Sequence, residues 1–90
     1  MNFCQFANSM RERPMLDLER WCRAWDLDHP VGSNVSFRNG TDVMHGVVAR
    51  GVMLTRDVDG EWDAMIRVMH GPAQWGTAVQ ISIDQVVDDS

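Results

Sequence analysis

Two thiols, three imidazoles and thirteen carboxylates are the groups in this chain that could hold a metal or move a proton, and their spacing fits neither task. Cys4 and Cys22 form no C-x-x-C pair, and His29, His45 and His70 show no H-x₃₋₅-H spacing, so no metal site is expected. Asp57-Val58-Asp59-Gly60-Glu61 imitates a calcium loop, but its glycine comes one position early and no glutamate closes it. It reads as an acidic hairpin turn. Gly32-Ser33 lacks the frame of a nucleophile elbow, and no glycine-rich phosphate loop is present. All eight cationic residues are arginine and tyrosine is missing, which removes Schiff-base chemistry, a lysine phosphate clamp and a tyrosine proton donor. On these residues neither a catalytic site nor a cofactor is expected.

The elements that must position side chains fall into a helical first third and a β-rich remainder. Ninety residues suit one domain with a thin core, and 44% hydrophobic against 23% charged residues is the balance of a globular fold. The net charge of −5 repels phosphate, so nucleic acid is not an expected partner. No apolar run approaches a membrane span and no secretory leader is legible, so the expected location is cytoplasmic with reduced thiols. Residues 1–13 form an N-terminal arm in which Phe3, Phe6 and Met10 share one side of a helical turn. That arm either packs loosely on the domain or serves a partner or a dimer. Residues 14–90 form the domain itself.

Pro14 is expected as the first helical residue, since its missing N–H is not needed there. Met15, Leu18, Cys22 and Trp25, with Trp21 beside them, make one apolar stripe. Cys22 on that stripe reads as a small core residue. Asp17, Glu19, Arg20, Arg23 and Asp26 cover the other side. His29 precedes Pro30, which stops the helix near Leu27. Trp25, Leu27 and Pro30 are then expected to form a fixed hinge that lays the helix over one end of the strands.

After Pro30 turn signals recur at Gly32-Ser33-Asn34, Asn39-Gly40, Asp59-Gly60 and Gly71-Pro72. Between them run Val35–Phe37, a long segment from Val43 to Leu54 interrupted by Gly46 and Gly51, Ala64–Met69 and Ala78–Ser82. A helical turn at 82–85 leads to a last short strand, Val86-Val87. This order predicts a mainly β fold with one α-helix: a small five-stranded SH3-like barrel capped by an N-terminal helix.

Aromatic and sulfur side chains offer the best candidates for recognition. Trp21 and Trp25 are expected in the core. Trp62 opens a strand after a turn. Trp75, with Gln74, lies in the loop Gly71–Gly76, where it either folds over the core or stands out as a binding hot spot. Met65 and Met69, with Met44 and Met53, could add an adaptable apolar surface.

Two resemblances bear on function. The stretch from Trp25 to Val35, WDLDHPVGSNV, resembles small proteins of phages, prophages and other mobile elements in which a helix ending in tryptophan leads through "HPVG-x-x-V" into a compact barrel. The stretch Val79-Gln80-Ile81-Ser82 resembles the "V-Q-I-Y" strand of the type II dihydrofolate reductases, SH3-like barrels carried on plasmid cassettes; Ser82 stands where that family has tyrosine. The first carries no established activity; the missing catalytic constellation and the aromatic and methionine candidates lead to the expectation of a non-enzymatic interaction module of a phage or mobile element, binding a host or self protein through Trp62, Met65, Met69, Gln74 and Trp75. The second implies a small oligomeric oxidoreductase using NADPH, with Gln80, Ile81 and Ser82 lining a pore. A homodimer through the outward methionines is a third expectation.

Overall fold

Local sequence signals become elements at nearly the expected places. The computed structural model describes residues 2–10, 13–71 and 76–87. Helix α1 spans Phe3–Asn8 and α2 spans Met15–Asp28. Strands β1 (Asn34–Asn39), β2 (Asp42–Arg56), β3 (Trp62–His70) and β4 (Thr77–Ser82) follow, then a 3₁₀ turn at Ile83–Gln85 and β5 (Val86–Val87). The mainly β reading with five strands holds, and α1 is a second helix where the sequence offered only a turn. Pro14 is the residue before α2 rather than its first, with ψ 138°, and its carbonyl accepts from Asp17 N. No described helix is long and apolar enough to cross a membrane.

The strands make one antiparallel sheet in the order β4-β3-β2-β1-β5. The sheet has β4 and β5 as its edges, and no ladder joins them among the described residues. β2 is long enough to serve both halves. It carries two register shifts against β3, between Val48 and Arg50 and between Arg50 and Met53. An extra residue on one strand bends it and leaves backbone groups without ladder partners. Gly51 sits in the second shift, as the sequence reading placed it.

That irregularity explains a residue assigned to the polar side of α2. Asp26 is half-buried, and its Oδ1 accepts the Val52 amide at 3.0 Å. A side chain on Gly51 would crowd the same carboxylate, with its Cβ 3.1 Å from Asp26 Oδ1. The helix is thus pinned to the bulge by one carboxylate. The chain then returns through Gly32 N to Val48 O at 2.8 Å and Val48 N to Ser33 O at 2.9 Å. The expected hinge keeps only Trp25 against the core: Leu27 is 77% exposed and Pro30 is exposed as well. We expect Asp26→Ala to cost about 1–2 kcal/mol in a urea melt, because it strands a partly buried N–H. Arg23→Ala, on the exposed side, should change stability by no more than about 0.5 kcal/mol.

The core lies between the sheet's inner face and the two helices. Val35 and Phe37 of β1, Val48 of β2, Ala64, Ile66 and Val68 of β3 and Ile81 of β4 are buried at alternate positions, as the pleat requires. Leu18 and Cys22 of α2 and Phe3 and Ala7 of α1 cover them. Trp21 and Trp25 stand at the rim, half-buried rather than central. Phe6 stacks on Trp21 with ring centroids 4.6 Å apart, and Arg13 lies over the other side of Phe6 at 4.0 Å. The apolar stripe of α2 begins at Leu18, since Met15 is 45% exposed.

Candidate functional site

All three histidines of the chain, distant in sequence, line one cleft of about 590 Å³. His29 follows α2, His45 lies in β2 and His70 ends β3. Asn34 and Ser36 of β1 add polar groups, and Val35, Val47, Met69, Val86 and Val87 supply apolar wall. Gly46 forms part of the floor, where a Cβ would meet Val68 Cγ1 and stand 2.7 Å from the Met69 carbonyl oxygen. Only glycine lets β2 and β3 approach this closely beside the cleft.

The imidazoles are held in set orientations. His29 stacks on Trp25 at 4.1 Å, and its Nδ1 lies 3.2 Å from the Trp25 carbonyl oxygen. A carbonyl only accepts, so Nδ1 carries the proton in that contact. His45 Nδ1 is 2.8 Å from the hydroxyl of Ser36, a buried residue. His70 meets Phe37 edge-on with ring centroids 6.4 Å apart.

Ser36 with His45 is a hydroxyl–imidazole pair, the first requirement of a serine nucleophile. The rest of that arrangement differs: Ser36 lies within a paired strand, opposite His45 in the β1–β2 ladder, and not at an exposed turn. The pair works as a cross-strand hydrogen bond that fixes the ring. Among the described residues the histidine nitrogens do not come together closely enough to share one metal ion.

A second cluster joins the two helical ends of the fold. Cys4 Sγ and a carboxylate oxygen from each of Asp63 and Asp84 lie within 4.8 Å of one another. Its donors are already placed. Asp84 accepts Phe3 N at 2.8 Å and Cys4 N at 3.0 Å, and so caps α1 from the far end of the chain. Asp63 Oδ1 accepts the Ser82 hydroxyl at 2.8 Å, the Ala64 amide at 2.7 Å and the Cys4 thiol at 3.5 Å. The carboxylates are thereby engaged in building the junction.

Burial, hydrogen bonding to Asp84 and the negative charges of Asp63 and Asp84 push the Cys4 thiol from 9.0 up to about 12. Burial first, and then Asp26 and Glu19, push Cys22 up to about 11. Neither is a thiolate at neutral pH. Native Cys4 should therefore react with iodoacetamide at pH 8 on the order of a thousandfold more slowly than in the urea-unfolded chain. The raised value also sets a pH dependence. Above pH 9 the unfolded chain loses a proton that the folded chain keeps, so stability is complete below about pH 9 and falls as pH rises towards about 12. Urea midpoints should drop from pH 8 to pH 10.5, and drop less in Cys4→Ser.

The outer face of the sheet carries the methionines singled out in the sequence. Read across the register, Met53, Met65 and Ser82 form one row, Arg50, Arg67 and Gln80 the next, and Val47, Met69 and Ala78 the third. Met53, Val47 and Met69 are about two-fifths exposed, Met65 is half-buried, and both arginines and Gln80 are exposed. Arg50 and Arg67 stand directly opposite each other, and neither makes an ion pair among the described residues. Like charges in that position repel unless an anion lies between them.

The other sequence candidates separate. Trp62 is half-buried at the start of β3, with Arg56 over its ring at 5.1 Å and its backbone held by Asn8 of α1. Gln74 and Trp75 lie outside the described residues. Of the stretch that resembles the reductase strand, Gln80 is exposed, Ile81 points into the core and Ser82 donates to Asp63. Asp57 Oδ1 accepts Asp59 N and Glu61 N, so the acidic loop organises its own turn, as the sequence reading had it.

Sequence reasoning missed the histidine cleft because nothing in the spacing of residues 29, 45 and 70 announces it. A signal existed only in topology: the expected hairpins put the start of β1 beside the middle of β2 and the end of β3. No protein family, curated protein or solved structure matches the chain.

Proposed function

We propose that this chain is a non-enzymatic protein-interaction module that docks a partner on the outer face of its sheet. The observation that carries this is the row Arg50–Arg67–Gln80, exposed and lacking an ion pair among the described residues, between two rows of part-exposed apolar side chains. Apolar side chains give such a surface its area, and paired guanidinium groups select carboxylates. The partner is a protein segment with acidic residues flanked by apolar ones, from a host if the phage resemblance of residues 25–35 reflects origin. A net charge of −5 alone argues for a basic partner; the charge at the centre of this face reverses that expectation.

Affinity capture with wild type and with Arg50→Glu/Arg67→Glu tests the reading. Partners retained by wild type should be lost from the charge-reversed pair, and Met53→Ala should weaken their retention. Identical captures would refute it. Self-pairing about the central row would bring four arginines together, so light scattering over a dilution series should show a monomer. The reductase resemblance has the same row in its favour, as a source of positive charge for NADPH beside Gln80; a rise in melting temperature with NADPH would replace the interaction reading by that one.

A further inference from the structure

The cleft shared by the three histidines has a chemical character unlike the rest of the molecule. Thirteen of the ninety residues are acidic, yet no carboxylate and no guanidinium is among its described lining residues. Its polar groups are imidazoles, the Asn34 amide and the Ser36 hydroxyl. Its volume, about 590 Å³, is that of a small-molecule site rather than of an ion site. The three histidine nitrogens do not gather within one metal's coordination shell.

We propose that this cleft binds a small organic anion, a carboxylate on an apolar body. His45 and His70 each offer a ring N–H, the amide of Asn34 adds two further donors, and His29, whose Nδ1–H is engaged by the Trp25 carbonyl, donates to a ligand only as an imidazolium. Together they favour a ligand that accepts hydrogen bonds and carries negative charge. Val35, Val47, Val86 and Val87 offer its body an apolar wall. Two of the rings are already oriented by protein contacts, His29 through the Trp25 carbonyl and His45 through Ser36 of the cleft wall, so their positions cost little to fix on binding. A side chain at Gly46 would meet buried Val68 and the Met69 backbone, so glycine there keeps β2 and β3 in place beside the cleft.

Benzoate and benzyl alcohol, of similar size and different charge, are suitable probes. Titrated into the intact chain, benzoate should shift the imidazole Cε1–H resonances of His45 and His70 saturably in proton NMR spectra. Benzyl alcohol should bind about ten-fold more weakly, or less, for want of the charge. His45→Gln should weaken benzoate by about the same factor. Asn34 is exposed, so Asn34→Asp leaves the core intact while placing a carboxylate at the cleft, and it should abolish the benzoate shift. The proposal fails if benzoate gives no saturable shift up to about 20 mM. It also fails if benzyl alcohol matches benzoate, or if a folded Asn34→Asp protein binds benzoate as wild type does. Arg50→Glu/Arg67→Glu should bind benzoate normally, which separates this site from the arginine row of the outer face, with which it shares Val47 and Met69 at its border.

Discussion

Phe3→Ala is expected to remove most of the stability of the domain. Phe3 is 1% exposed, sits among the largest fully buried side chains and meets Trp21 edge-on at 6.1 Å. Truncating a buried phenylalanine costs about 3–5 kcal/mol, the transfer of the ring plus the cavity it leaves. A domain of this size holds about 5–10 kcal/mol in all. The loss has a second route. Asp84 caps α1 at Phe3 N and Cys4 N, so loosening Phe3 releases that carboxylate and the Cys4–Asp63 contact with it. A urea melt should show the midpoint of Phe3→Ala falling by half or more. Phe6→Ala, half-buried on the same helix, should cost about half as much or less. Equal small effects would mean that α1 is not part of the core.

Gly46→Ala comes next. The added methyl would overlap Val68 Cγ1 and stand 2.7 Å from the Met69 carbonyl oxygen. Val68 is fully buried and Met69 O is backbone, so neither has room to retreat. Overpacking of this kind typically costs about 1–3 kcal/mol, and a contact with backbone lies at the upper end. The β2–β3 pairing would open at Val47–Met69, beside the cleft, so the variant should also broaden the imidazole resonances of His45 and His70. Gly51→Ala meets only the end of the Asp26 side chain and should be milder. A Gly46→Ala protein as stable as wild type would show that the strands separate more easily than their packing implies.

Periodicity made the sheet legible. Val35 and Phe37, Ala64, Ile66 and Val68, and Val79 and Ile81 alternate, and each set reaches the inner face or its edge. Of the two glycines of β2, Gly51 marked an irregularity, whereas Gly46 sits in regular register opposite Val35. Less legible was the weight each aromatic bears. Trp25 looks decisive on a helical wheel because it is large and in line with Leu18 and Cys22. Leu18 and Phe3 are nevertheless the large helix residues that are fully buried, and Trp25 lies at the rim on His29. A wheel shows which side of a helix is apolar but not how far that side extends beneath its neighbour. Phe3 belongs to the N-terminal arm, whose residues pack loosely unless something docks them. What holds them is Asp84, eighty-one positions away from Phe3, and no local pattern records such a partner. The histidines were hidden in the same way, since their convergence is a product of strand register.

The bond between Asp84 and α1 gives synthesis a fixed order of events. Residues 3–8 emerge well before Asp84, before β3 and the 3₁₀ turn they pack against, and before the Ser82–Asp63 bond beside them. Closing so long a loop carries an entropic cost that local contacts cannot offset while the chain is incomplete. A helix made early therefore completes its docking late, since a nascent chain that stops short of residue 84 lacks the carboxylate that holds Phe3 N and Cys4 N.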